Sequence, residues 1–149
     1  MENRIIKFRA WDKVMNDFVP EKYICLTADG TCENNSTENC SFDPKYWELM
    51  QFAGLLDCDG NEIFEGDIIE GESYLYGYQL HDGKQSKYKG VVKFQTQCDV
   101  GLCWVVDDGS GCWNLNQTVH RNAIDYSTGK IIGNIYQNPN GFAEAGGQN

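Results

Sequence analysis

Apolar and basic residues alternate at the start of the chain. Ile6, Phe8 and Ala10 fall on one side of Ile5–Trp11, and Lys7 and Arg9 on the other. A period of two predicts a strand with one wet face. Asp12-Lys13 and Asn16-Asp17 flank a turn with Val14 and Met15 in or beside it, and Phe18-Val19 returns as the hairpin partner. Similar patterning recurs in Leu49–Ile69, LMQFAGLLDCDGNEIFEGDII, and in Ile131–Pro139, IIGNIYQNP. These segments predict strands over Glu48–Phe52 and Ile131–Tyr136, a turn at Asp57–Gly60, and a stop at Asn138-Pro139. Between Ile63-Phe64 and Ile68-Ile69 lies a polar corner, Glu65-Gly66-Asp67. Gly66 permits a sharp change of direction there, and the Asp67 carboxylate can accept nearby backbone amides.

Further strands are expected at Val91–Phe94 and Leu102–Val106, with Cys112–Leu115 returning after the turn Asp107–Gly111. Thr27–Cys40 is polar and aperiodic and predicts a loop. Asp43-Pro44 is a cap signal for a short helical turn through Tyr46–Leu49. Gly71–Lys89 is a Tyr-rich excursion, a long hairpin or an inserted flap. Many short strands at turn-rich spacing predict a mainly β fold. The expected architecture is a small SH3-like or pseudo-barrel with an N-terminal hairpin and at most minor helix. One domain over residues 1–142 is expected, with 143–149 as a flexible tail.

Charge narrows the set of partners. Twelve basic residues stand against 22 acidic ones, a net charge of −10. Such a field repels nucleic acid and anionic lipid, and favours a basic protein as companion. No apolar run approaches the roughly 20 residues of a bilayer span, and MENRIIKFRAW lacks a signal-peptide core, so the cytoplasm is the expected location, with no membrane association. Seven cysteines, an odd number, in a reducing compartment argue against a disulfide framework.

Catalytic and metal-binding constellations are sparse. Only His81 and His120 could serve as imidazole bases, and a Cys112–His120 pair would require the fold to bring them together. Cys98 and Cys103, with Cys112 and His120 downstream, supply zinc-type ligands without knuckle spacing, so no metal is assigned. Asp57–Glu62 is similar to the start of a calcium loop but lacks its 12-residue register, and turn formation is the better account. There is no phosphate cradle, because Gly109-Ser110-Gly111 is not followed by Lys-Ser/Thr. No cofactor is expected, and a non-enzymatic role is the reading. The partner-binding candidates are Tyr74, Tyr76 and Tyr78, which offer aromatic contact area, and Lys84, Lys87 and Tyr88, where cations interleave with aromatics.

The strings IKFRAWDK, LMQFAGL, DGNEIFEGDII, GVVKF and IIGNIYQNP keep their order across most of the chain. Together they are similar to the YopX-like proteins of phages and prophages. That resemblance implies a mainly β, partly barrel-like fold, a bacterial host cell and a capacity for self-association. It implies no reaction, cofactor or substrate. It explains the strings as turn and packing requirements, with Gly54, Gly60, Gly66 and Gly133 shaping the backbone and Trp11, Phe52, Phe64 and Tyr136 filling the core. The expected function is a phage or prophage accessory protein that binds another protein. The alternative is a nucleic-acid-associated small β-barrel of phage DNA metabolism or regulation.

Overall fold

A computed structural model of the chain describes residues 5–26, 32–34, 40–41, 43–73, 86–97, 101–115 and 129–139. The fold is mainly β, a curled half-barrel sheet plus a second antiparallel sheet. The chain divides into two compact units, Met1–Phe52 and Ala53–Asn149. The expected tail at 143–149 lies outside the described residues.

In the first unit, β1 (Phe8–Asp12) and β2 (Asp17–Phe18) form the expected hairpin, with Trp11 opposite Phe18 and Asp12 opposite Asp17. Alternation gives way here to burial on both sides, since Ala10 and Trp11 are adjacent and both buried. The Trp11 and Phe18 rings meet edge-on at 4.9 Å. The Arg9 guanidinium lies 4.5 Å above the Phe18 ring and donates to Met50 Sδ at 3.6 Å. Ile6, expected on the core face, is instead exposed, because the strand begins only at Phe8. A 3-10 turn at Glu21–Tyr23 follows Pro20, whose lack of an amide and fixed φ suit a helix entry.

Two expectations for this unit are corrected. Thr27–Cys40 is not all loop. β4 (Cys32–Asn34) pairs with β3 (Ile24–Leu26) and with β5 (Cys40–Ser41) in a three-stranded sheet. Cross-strand hydrogen bonding here overrides a composition that disfavours strands. The helical turn through Tyr46–Leu49 is absent. Asp43 accepts at its carboxylate from Lys45 N and at its carbonyl from Tyr46 N and Trp47 N, which closes a turn, and β6 (Trp47–Leu56) starts at once. The Asp-Pro signal marked a turn in place of a cap, because the next residues could pair with β1 over Phe8–Asp12.

β6 neighbours β1 on one side and β7 (Glu62–Phe64) on the other, giving the order β2-β1-β6-β7. In the second unit, a five-stranded sheet has the order β11-β10-β9-β8-β12. Its members are β8 (Asp67–Ser73), β9 (Ser86–Gln97), β10 (Gly101–Asp107), β11 (Cys112–Asn114) and β12 (Lys130–Asn134). The outer parts of the Tyr-rich excursion are hairpin arms, with Gly71 opposite Tyr88 and Ser73 opposite Ser86. The core gathers Ile63, Ile69, Tyr88, Val92, Val106 and Leu115. Phe64, expected in the core, is buried here, as Trp11 and Phe52 are in the first unit. Tyr136 is only half-buried, since it follows the last strand in a turn.

Two glycines in this sheet are there for close approach. A side chain on Gly71 would strike the Tyr88 hydroxyl at 2.6 Å, so the tyrosine ring covers the missing side chain of its cross-strand neighbour. A Cβ on Gly90 would lie 2.5 Å from Val106 Cγ1 and 2.8 Å from the Asp107 carbonyl oxygen. Backbone cannot yield as a side chain does, so Gly90→Ala should destabilise the protein by about 2 kcal/mol or more. Urea unfolding at neutral pH, with wild type alongside, checks this.

Candidate functional site

Two strings far apart in sequence, FEGDII and IIGN, lie side by side. β8 and β12 pair antiparallel, with Ile69 opposite Ile131, Ile68 opposite Gly133, and Asp67 opposite Asn134. A bulge between Ile131 and Gly133 shifts the register by one. The Asp67 carboxylate is buried and accepts from Phe64 N at 2.8 Å and from Asn134 Nδ2 at 3.1 Å. Asn134 Oδ1 accepts from Tyr136 N, and its carbonyl from Asn138 N. At the corner, Gly66 has φ +79° and donates to the Val92 carbonyl, while its own carbonyl accepts from Ile135 N. A Cβ there would press on Asn134 Nδ2 at 3.3 Å.

A second carboxylate repeats the device. Asp57, also buried, accepts from Asp59 N, from Asn61 N and Nδ2, and from Ile131 N across 74 positions of sequence. Cys58 N donates to the Gly129 carbonyl, and Lys130 reaches Asp59 at 2.8 Å. Burial pushes the Asp57 carboxyl up, but the donors from Asn61, Ile131 and Asp59 together outweigh it and hold the pKa below its ordinary value. The Asp107 carboxyl is held low first by the Lys93 ammonium. Asp108 is held low by Ser110 and Gly111 donors against its own burial. These carboxylates fasten turns and strand ends, which is structural work.

The surface offers other material. Along β9 and β10, Val92 faces Val106, Phe94 faces Trp104, and Thr96 faces Leu102. This is one face of the ribbon, because directly opposed residues share a side and alternate residues repeat it. Val92 and Val106 are fully buried. Trp104 packs against the core and touches Phe94 with ring centroids 5.0 Å apart. Phe94 is 47% exposed and Leu102 69%. An apolar strip therefore runs continuously from the core out to solvent.

A family model described as YopX protein matches residues 7–142. The chain belongs to the YopX family. The crystal structure of protein EF1440 from Enterococcus faecalis is similar, with a TM-score of 0.51 and 23% identity, over 92% of this chain and 97% of that one. At that identity the likeness concerns the fold. No curated protein matches the chain. The YopX-like strings now have a physical account: DGNEIFEGDII supplies Asp57's turn partners and the Asp67 corner, and IIGNIYQNP supplies the strand that both carboxylates hold.

Of the expected contact residues, Tyr74, Tyr76, Tyr78 and Lys84 lie outside the described residues, as do Cys98, His81 and His120. Lys87 is exposed on β9. Tyr88 is corrected: it is 8% exposed and belongs to the core, because Gly71 opposite leaves a slot that its ring fills. Cys103 and Cys112 are half-buried on neighbouring strands, and among the described residues no three His, Cys, Asp or Glu side chains gather around a metal position. The Cys58 thiol is pushed up by burial, then by the Asp59 and Asp57 charges, so it stays protonated at neutral pH. Sequence reasoning missed the exposure of Phe94 and Leu102. Their alternation has the same form as that of Val92 and Val106, and only the length of the ribbon separates the two pairs.

Replacing Asp67 by Ala removes the buried acceptor of the Phe64 amide and of Asn134 Nδ2, and should cost roughly 2–4 kcal/mol in urea unfolding. Asp57, Asp107 and Asp108 have folded pKa values below their unfolded ones. The stability they contribute is therefore present above the unfolded pKa and is lost as pH falls through the folded one. The unfolding midpoint should hold near neutrality and drop below about pH 4, with a shallower drop in Asp57→Asn.

Proposed function

We propose that this YopX-family chain is a non-enzymatic protein-interaction module, encoded by a phage or prophage and acting in the cytoplasm of its bacterial host. The observation that carries this reading is the Phe94–Trp104–Leu102 strip. Phe94 and Leu102, exposed beside the half-buried Trp104, are apolar area that a protein partner removes from water, and aromatic residues dominate the centres of such contacts. The net charge of −10 favours a basic partner over nucleic acid. Cross-strand register points the same way: Lys89 stands opposite Glu70, so this cation has an acidic cross-strand neighbour.

The test is affinity capture of the tagged chain from phage-infected or prophage-induced cells, with and without nuclease. A stoichiometric protein partner that survives nuclease is expected. Substituting Phe94→Ser together with Leu102→Ser should weaken it by roughly tenfold or more in Kd. Leu102 is largely exposed and Phe94 about half exposed, so the thermal midpoint should fall by several degrees at most while the fold is kept, as circular dichroism would show. Capture that disappears with nuclease transfers the case to the nucleic-acid alternative. Unchanged affinity in the double variant removes the strip from the contact.

A further inference from the structure

The first unit carries a feature of a different kind at the tip of the β1–β2 hairpin. Val14 and Met15 are 70% and 75% exposed, side by side, in the four-residue turn between Asp12 and Asp17. Turn positions ordinarily go to residues whose chemistry closes the turn, such as Gly, Asn and Asp. Here that chemistry is supplied entirely by the flanking residues. Asp12 Oδ1 accepts from Val14 N at 2.8 Å and from Met15 N at 2.9 Å. The Asp12 carbonyl accepts from Asn16 N, and Asn16 takes the left-handed conformation at φ 54°. Lys13 N donates to the Tyr46 carbonyl, and Lys13 Nζ reaches both the Pro44 carbonyl and Glu48. Neither apolar side chain closes the turn or fills the core, so both are available to another surface.

The tip presents two exposed apolar side chains on a hydrogen-bonded turn. Its two amides are held by one carboxylate and its root is tied to residues 44–48, so little ordering entropy remains to be lost on binding. Beside it, Tyr46 is partly exposed, with Lys45 over its ring at 5.0 Å. Lys13 is paired with Glu48. Asp17 and Asp43, both exposed, use one carboxylate oxygen each for a backbone amide and turn charge toward solvent. The surroundings of the tip are thus acidic on balance. An anionic membrane or a nucleic acid would need free cations at this place, and a second copy would bring up another chain of net charge −10.

We propose that the hairpin tip is an insertion loop that seats Val14 and Met15 in an apolar cleft on a partner protein, with basic residues at the rim of the cleft facing Asp17 and Asp43. The proposal shares the interaction reading given above but uses a separate surface, so the two can fail separately.

The experiment places a photo-crosslinking amino acid at position 15 of the full chain in prophage-induced cells and maps the cross-linked peptide. The partner is then purified and titrated. Three versions are compared: wild type, Val14→Ser with Met15→Ser, and Phe94→Ser with Leu102→Ser. The expected result is a cross-link to one protein, at a cleft lined by apolar residues and edged by Lys or Arg. The tip variant should then lose roughly tenfold or more in Kd with an unchanged thermal midpoint, and wild-type affinity should fall with salt. The same labelled chain is exposed to phosphatidylglycerol–phosphatidylethanolamine vesicles, and alone at high concentration. Cross-links only between copies, or vesicle binding that the tip substitutions abolish, overturn the proposal. So does a Kd that the tip substitutions leave unchanged. Loss in the Phe94/Leu102 variant alone would retain the interaction module while removing the tip from it. Loss in the tip variant alone would do the reverse for the strip.

Discussion

The second unit depends on one buried polar contact, the Asp67 carboxylate and the Asn134 side chain. A carboxylate removed from water is costly unless donors replace the water it loses. Phe64 N and Asn134 Nδ2 supply them, and Asn134 in turn holds Tyr136 N. The surrounding backbone bonds, Gly66 to Val92 and Ile135 to Gly66, join the corner to β9 and to the end of β12. Hydrophobic contact alone does not choose between neighbouring registers of a strand as short as KIIGN. A polar pair that must find its donors does choose, and the bulge at Ile131–Gly133 is the local adjustment that lets Ile131 and Asn134 both reach their places.

Much of this was legible in the sequence, for physical reasons that differ by element. The hairpin, the Asp57–Gly60 turn and the Gly66 corner are local, and each is written in residues that act on their own neighbours. The mainly β class followed from alternation. What could not be read was long-range: that the Asp67 and Asp57 carboxylates close onto β12, and that Tyr88 folds inward over Gly71. Alternation reports which residues share a face, but not whether that face is covered. For that reason Ile6 was expected inside and Phe94 could not be placed at the boundary between core and water. Cys32–Asn34 failed for the opposite reason, since neighbouring strands impose pairing on a segment that has little preference for it.

Among the described residues, two groups of exposed apolar side chains differ in kind. On the β9–β10 ribbon they are the outward end of the core, continuous with Val92 and Val106, so exposure there is a matter of how far the ribbon extends. At the hairpin tip they are detached from any core and held up by polar bonds. The first arrangement presents a face and the second a point. The net charge of −10 discourages contact at random.

The separation of 67 residues between Asp67 and Asn134 also has a meaning in time. On a ribosome adding 5–20 residues per second, the corner emerges roughly 3–13 seconds before the strand that completes it. During that interval Asp57 and Asp67 have only their local donors, and the edge of β8 that β12 will occupy stands open. The nascent chain can collect its local hairpins early, but it cannot close its largest sheet. Non-local pairing of this kind is slow to form. The late strand therefore acts as a timer on the fold, and the exposed edge before its arrival is the stage at which a chaperone, a protease or a neighbouring chain on the same message would find this protein most accessible.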